Sequence, residues 1–281
     1  MTNFVKKFSL QSRSRFGETR RGDYKKTNDA RSSRGTGWDS EAKHYDDLVG
    51  ERGHFFHESI VSPKLTEYME KIKPTSVIDF GCGQGFVERL VNGSVSFLGI
   101  DSSKQLISIA QKRVKERNHE FKVADATAKI DVPAHSFDLA TCILALQNME
   151  SAAGLVRNIS YSLKPGGHAF IVINHPHFRT PRSTGWGSFD KGVSYRWVSR
   201  YLSSFSIPIR MHPSMGSKSP VTLSYHFSLD YLSSLFEKSG LSIVRIEEWA
   251  SGKKSVGQNA TRENRSRSEI PVFMGLILER K

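Results

Sequence analysis

The residues with most chemical content form the run Asp79-Phe80-Gly81-Cys82-Gly83-Gln84-Gly85-Phe86, which follows the apolar pair Val77-Ile78. Glycines at Gly81, Gly83 and Gly85 let a backbone turn sharply and approach a ligand closely. A dinucleotide site would need a third glycine where Phe86 stands. It would also set a pyrophosphate beside the Asp79 carboxylate, which repels it. A ligand bearing an ammonium and a sulfonium suits that carboxylate instead. Asp101 ends the next apolar run, Phe97-Leu98-Gly99-Ile100, and Asp125-Ala126 follows a third, Phe121 to Ala124. Alone, either acid could be a helix cap or a turn former. Cys82 is expected to fill a tight loop, not to react.

A second group is Asn174-His175-Pro176-His177, at the edge of the fold where open α/β sheets bind ligands. His175 is the first candidate for a general base or an orienting group, and His226 can enter from the other side. The alternative for His175 is a plain structural hydrogen bond. No carboxylate is placed by sequence to join His175 and His177 at a metal, so none is expected. Two cysteines, Cys82 and Cys142, are too few for a disulfide scaffold or a Cys-rich zinc site.

These groups need strands to present them. Val77–Phe80, Phe97–Ile100, Phe121–Ala124, Phe137–Leu144 and Ala169–Ile173 are expected strands, with Ile243–Trp249 and Val272–Leu278 as the last two. Helical stripes lie between them: a helix through Leu90 after the glycine loop, another with Leu106, Ile107, Ala110 and Val114 capped by Ser102 or Ser103, and a third with Leu155, Val156, Ile159 and Leu163. Pro165-Gly166-Gly167 is expected to break the chain before the fifth strand, and Leu229–Ser239 to be a helix. Alternating strands and helices predict a doubly wound, mostly parallel α/β sheet.

The run V-I-D-F-G-C-G-Q-G resembles motif I of the class I S-adenosylmethionine-dependent methyltransferases. Phe137-Asp138-Leu139 with Leu144-Ala145-Leu146-Gln147-Asn148 resembles their motif IV, and Leu163-Lys164-Pro165-Gly166-Gly167 is similar to their turn before strand five. Trp38 through Tyr45-Asp46 resembles the N-terminal helix whose aromatic closes over the cofactor. The similarity covers roughly residues 38 to 281 and is nearest the small-molecule branch that includes quinone-ring methylases. It implies a seven-stranded Rossmann-like fold with S-adenosyl-L-methionine as cofactor. It places Tyr45, Asp79, Gly81, Cys82, Gly83, Gly85, Asp101, Ser102, Asp125, Ala126 and Leu144 around that cofactor, with Asp101 on the ribose hydroxyls and Asp125-Ala126 on the adenine edge. Residues 176–225 interrupt the fold after strand five and are expected to be a substrate cap.

Charge is uneven. Of a net +13, residues 1–37 carry +7, from ten Lys and Arg against three acids. This arm is expected to be disordered, too poor in apolar residues to offset its ordering. It lacks an apolar signal region but has the look of an organelle transit peptide, so a cytoplasmic or an organelle-matrix location is expected. No run approaches a membrane-spanning length. The leading expectation is a methyltransferase for a small aromatic or anionic acceptor. The rivals are a methyltransferase of RNA or a ribosome-associated protein reached through the basic arm, and a non-catalytic basic binding or assembly factor.

Overall fold

In the computed structural model, which describes residues 38–50, 53–188, 194–211, 219–258 and 260–281, β1 (Ser76–Phe80) is buried at every position. A strand apolar on both faces must be covered on both. β2 (Ser96–Asp101), β3 (His119–Val123), β4 (Phe137–Ile143) and β5 (Leu163–Asn174) join it in parallel. Two small hairpins follow: β6 (Thr184–Ser188) with β7 (Ser194–Val198), and β8 (Phe205–Arg210) with β9 (Val221–His226). β10 (Leu241–Ala250) and β11 (Pro271–Arg280) then return antiparallel to complete a seven-stranded sheet in the order β10-β11-β5-β4-β1-β2-β3. The expected doubly wound sheet is therefore present, with four parallel pairings and two antiparallel ones.

Helices α1 (Trp38–Val49), α2 (Ser62–Ile72), α3 (Lys104–Arg113), α4 (Ala152–Ser162), α5 (Leu229–Lys238) and α6 (Ala260–Glu269) complete the described elements. One face of the sheet packs on Leu155, Val156 and Ile159 of α4 and on Leu232 and Phe236 of α5. The other covers Leu65 of α2 and Ile107 and Ala110 of α3. Serines start three of the helices. Ser103, Ser151 and Ser228 each accept a backbone N–H of the first turn, from Leu106, Gly154 and Tyr231, which satisfies a donor the helix leaves open.

Two local expectations are corrected. The helix through Leu90 is a set of turns and one 3-10 turn, Glu88–Leu90. Gly85 at φ +88° lies outside helical geometry, and the few residues before Val91 are too short to propagate a helix. Pro165-Gly166-Gly167 does not break the chain: β5 runs through it, with its register against β4 shifted between Phe137 and Leu139. The basic stretch Lys253–Arg267 holds most of α6. That helix is pinned by Asn264, whose side chain accepts from Ser255 N (2.7 Å) and donates to Ser255 O (3.1 Å). Of Ser102 and Ser103, the cap is Ser103. The insert, meanwhile, folds into the two hairpins. The basic arm, residues 1–37, lies outside the described residues.

Candidate active site

The C-terminal ends of β1 and β2 bring two carboxylates together under the glycine loop. Asp79 is 2% exposed and accepts a 2.6 Å hydrogen bond from the Thr141 hydroxyl on β4. Burial pushes its pKa up to about 7; the Thr141 bond pulls it down, and the Asp101 charge pushes it up. Asp101 accepts from Gly83 N (2.9 Å) with one oxygen and from Ser103 N (2.8 Å) with the other. Its pKa too is raised, chiefly by burial, against the pull of those backbone bonds. Among the described residues neither carboxylate forms an ion pair with Lys or Arg. The two Asp101 oxygens offer about four lone-pair sites, more than the backbone N–H groups of Gly83, Ser103 and Ser102 fill, which leaves room for a hydroxyl.

The loop has the conformation only glycine adopts freely: φ is +74° at Gly81, +56° at Gly83 and +88° at Gly85. Tyr45 of α1 lies over it. A Cβ on Gly83 would stand 3.5 Å from the Tyr45 ring, and burial, then Asp101 and Asp79, push the tyrosine pKa up to about 12. Trp38 meets Tyr45 edge-to-face at 5.5 Å. α1 is tied down by Arg113, which grips both oxygens of Asp46 (2.5 and 2.8 Å) and reaches Gln84 (3.1 Å). Gln84 in turn donates to Gly50 O and accepts from Arg89. Cys82 is buried, with its thiol raised well above the usual range, first by burial. Its sulfur would sit 2.9 Å from a Cβ on Gly99, so it packs the loop onto β2.

The other predicted residues are placed as follows. Leu144 ends β4 at φ +53°, a strained value for a non-glycine residue. Its carbonyl accepts the Gln147 side-chain amide at 2.7 Å. Asp125 is exposed and accepts from Thr127 N and Oγ1, and Ala126 is buried beside it. Ser102 is exposed. Asp138, in the segment resembling motif IV, sits at the start of β4, at the opposite end of the strand from Leu144, bonded to Lys164, Thr75 and Ser76.

Beyond β4 and β5 lies a narrow pocket of about 30 Å³, which reaches about 410 Å³ only when the open solvent at its mouth is counted. Leu146, Ile173, Ile207 and Leu232 contribute apolar wall; Gln147, Asn174, Arg179, Thr180 and His226 contribute polar groups. The two histidines fall differently. His226 lines the cavity; its Nε2–H donates to Tyr201 O (2.7 Å) and its Nδ1 faces the Thr180 hydroxyl at 3.2 Å. His175 is fully buried outside the lining: Nε2–H donates to Glu248 (2.7 Å), and Nδ1 accepts from His177 N (3.3 Å). Sequence alone had no means to single out Thr141, Arg113 or Glu248, whose partners lie 62, 67 and 73 residues away.

A buried carboxylate, Asp79, and a half-buried one, Asp101, neither with a basic partner among the described residues, fit a cationic ligand with vicinal hydroxyls below the glycine loop and disfavour a pyrophosphate. Among the described residues no group of three or more His, Cys, Asp or Glu is placed to hold a metal ion, and no helix is long and apolar enough to cross a membrane. Residues 78–171, from β1 into β5, match the family model for a methyltransferase domain. The chain thus carries a methyltransferase domain, and its fold and site are like those of the class I S-adenosylmethionine-dependent methyltransferases.

Particular relatives sharpen the comparison. An S-adenosylmethionine-dependent methyltransferase from Mesorhizobium loti is 25% identical, with a TM-score of 0.61 over 78% of this chain and 96% of its own. The ubiquinone biosynthesis O-methyltransferase of Coxiella burnetii is 26% identical over 126 residues, 43% of this chain and 53% of its length. The demethylmenaquinone methyltransferase of Thermotoga maritima is 29% identical over 163 residues, 52% of this chain and 69% of its length. The chain thus spans about half the length of the Coxiella relative.

Proposed function

We propose that this protein transfers the methyl group of S-adenosyl-L-methionine to a small-molecule acceptor held in the cavity beside the β8-β9 hairpin. The observation that carries the reading is the pair Asp79 and Asp101 beneath Gly81 and Gly83, with Tyr45 closing over the loop. When bound, the cofactor supplies an electrophilic methyl on a sulfonium. Asp79 places negative charge where the cation sits, Asp101 takes the ribose hydroxyls, and Asp125-Ala126 meets the adenine. Leu144, just after β4, holds the cavity-lining Gln147 through its carbonyl. The chain's part would be to align an acceptor with that methyl, and alignment of this kind supplies most of the rate.

An acceptor that must lose a proton needs a base, and His226 suits that role better than His175. It lines the cavity, where its Nδ1 meets the Thr180 hydroxyl at 3.2 Å. His175 lies outside the lining, and its bonds to Glu248 and His177 N fix the turn after β5. The names of the quinone-pathway relatives favour a small acceptor. The +7 arm favours a second reading, methylation of RNA or of a ribosome-associated protein. A cytoplasmic location is part of the same proposal.

Calorimetry with S-adenosylhomocysteine should show micromolar binding, ~8 kcal/mol. Asp101→Ala should weaken it at least about tenfold, ~1.4 kcal/mol. Heat with NAD and none with S-adenosylhomocysteine would overturn the assignment. Labelled methyl transfer into extract fractions separates the two acceptor classes: label in small molecules supports the first, label in RNA or protein the second.

A further inference from the structure

Arg179 is half-buried, and one buried nitrogen of its guanidinium is answered by none of the described residues. It lies in the first turn of chain after β5, lines the acceptor cavity, and is clamped between the rings of Phe273 (4.6 Å) and Phe56 (5.2 Å). Its Nη1 is buried with no hydrogen-bond partner among the described residues, and no carboxylate pairs with it there. Burial, then the neighbouring Arg196 charge, pull its pKa below the ordinary arginine value. Other arginines of the insert are spent: Arg196 donates to Phe178 O and to Thr184 Oγ1 (2.9 Å), and Arg200 stacks on Phe205. A second buried atom of the same cavity is also unpaired, Gln147 Oε1, whose amide nitrogen is committed to Leu144 O. A buried cation without a counter-charge is costly, and so is a buried acceptor without a donor. The two groups do not satisfy each other, so both are left for a ligand.

We propose that the acceptor is a small carboxylate with an apolar body and a hydroxyl or amino donor: Arg179 takes the carboxylate and Gln147 Oε1 the donor. The planar guanidinium fork matches a planar carboxylate with two parallel bonds, and the apolar walls Leu146, Ile173 and Leu232 cover the rest. Calling this ligand the acceptor rests on the methyl-transfer reading; the anion site itself does not.

The test is binding to the full chain without cofactor, by calorimetry or ligand-observed NMR, with benzoate, benzamide, phenyl phosphate and the three hydroxybenzoates as probes. Benzoate should bind at least about tenfold tighter than benzamide or phenyl phosphate, a difference of ~1.4 kcal/mol. Arg179→Met should abolish that preference and Arg179→Lys should keep part of it. At least one hydroxybenzoate should exceed benzoate, and Gln147→Leu should remove that gain. Equal binding of benzoate and benzamide, no binding of any probe, tighter phenyl phosphate, or an Arg179→Met protein that still prefers benzoate would overturn the proposal. Should Arg179→Met not fold, the wild-type comparison and Arg179→Lys decide. S-adenosylhomocysteine binding, measured on the same samples, reports the cofactor reading independently: its failure with benzoate binding intact would sink methyl transfer and leave the anion site standing.

Discussion

The hydroxyl of Thr141 on β4 donates a 2.6 Å hydrogen bond across to Asp79 on β1, the next strand in the sheet. It is the only bond given to that carboxylate by the described side chains, so it sets how readily Asp79 holds the negative charge a cationic cofactor needs.

A pH dependence follows. In the unfolded chain Asp79 titrates near 3.8, in the folded one near 7. Between these values the folded state holds a proton the unfolded state has lost, so Asp79's contribution to stability falls as pH rises through about 7. Cofactor affinity runs the other way and should weaken as pH falls below 7. Thr141→Val removes the bond that lowers the pKa and should move the affinity midpoint to higher pH. Asp79→Asn should raise stability at pH 8 by roughly 1–3 kcal/mol while abolishing binding. Calorimetric titrations from pH 5.5 to 8.5 check both; an unmoved midpoint in Thr141→Val would refute the assignment.

Gly83 and Gly81 should respond differently to a methyl. Gly83→Ala meets only ordinary contact with Tyr45 at 3.5 Å, so its cost is the left-handed backbone, about 1 kcal/mol. The added methyl occupies the cofactor's approach, and S-adenosylhomocysteine affinity should fall at least about tenfold. Gly81→Ala drives a Cβ to 2.5 Å from that of Ala145 and should cost clearly more stability. Thermal melts and calorimetry on the two variants make the comparison.

Arg113 should govern how long the cofactor stays. Arg113→Ala releases Asp46 and one contact to Gln84, freeing α1 from the loop. Because the pair is partly exposed, the stability loss should stay under about 1 kcal/mol. Cofactor release should speed up several-fold, read by stopped flow, with faster hydrogen exchange confined to residues 38–49. Unchanged release would show that α1 is no lid.

The two histidines separate by pH profile. Burial lowers the His226 pKa from its ordinary value, so a base there is active above that lowered pKa and lost in acid. His226→Gln should remove the acid limb of kcat/KM and cut turnover by about 100-fold. His175→Gln should lower the melting temperature, through loss of the Glu248 bond, and leave the shape of the profile intact. A vanished acid limb in His175→Gln alone would return the base role to that residue.

The parallel sheet, the glycine loop and the acids at the strand ends were legible in sequence because each is local: an apolar run, a turn, then a polar residue at the strand's C-terminal end. Asp79, Gly81, Gly83 and Asp101 lie within 23 consecutive residues and were found together. Segments whose shape depends on distant partners were misread. The turns after Gly85 read as a helix.

What the sequence determined by itself is the frame of the site: strands buried on both faces force a covered parallel sheet, and such a sheet gathers its strand ends at one edge. Tertiary structure alone decided the protonation and partnership of what gathers there. Asp79 is raised because burial strips its water, a matter of which strands flank it. His175 is occupied because β10 brings Glu248 to it, and Arg179 is left open because Phe56 and Phe273 enclose it without supplying an oxygen. Solvation and hydrogen-bond pairing depend on neighbours in space, and those neighbours here come from 60 to more than 120 residues away along the chain.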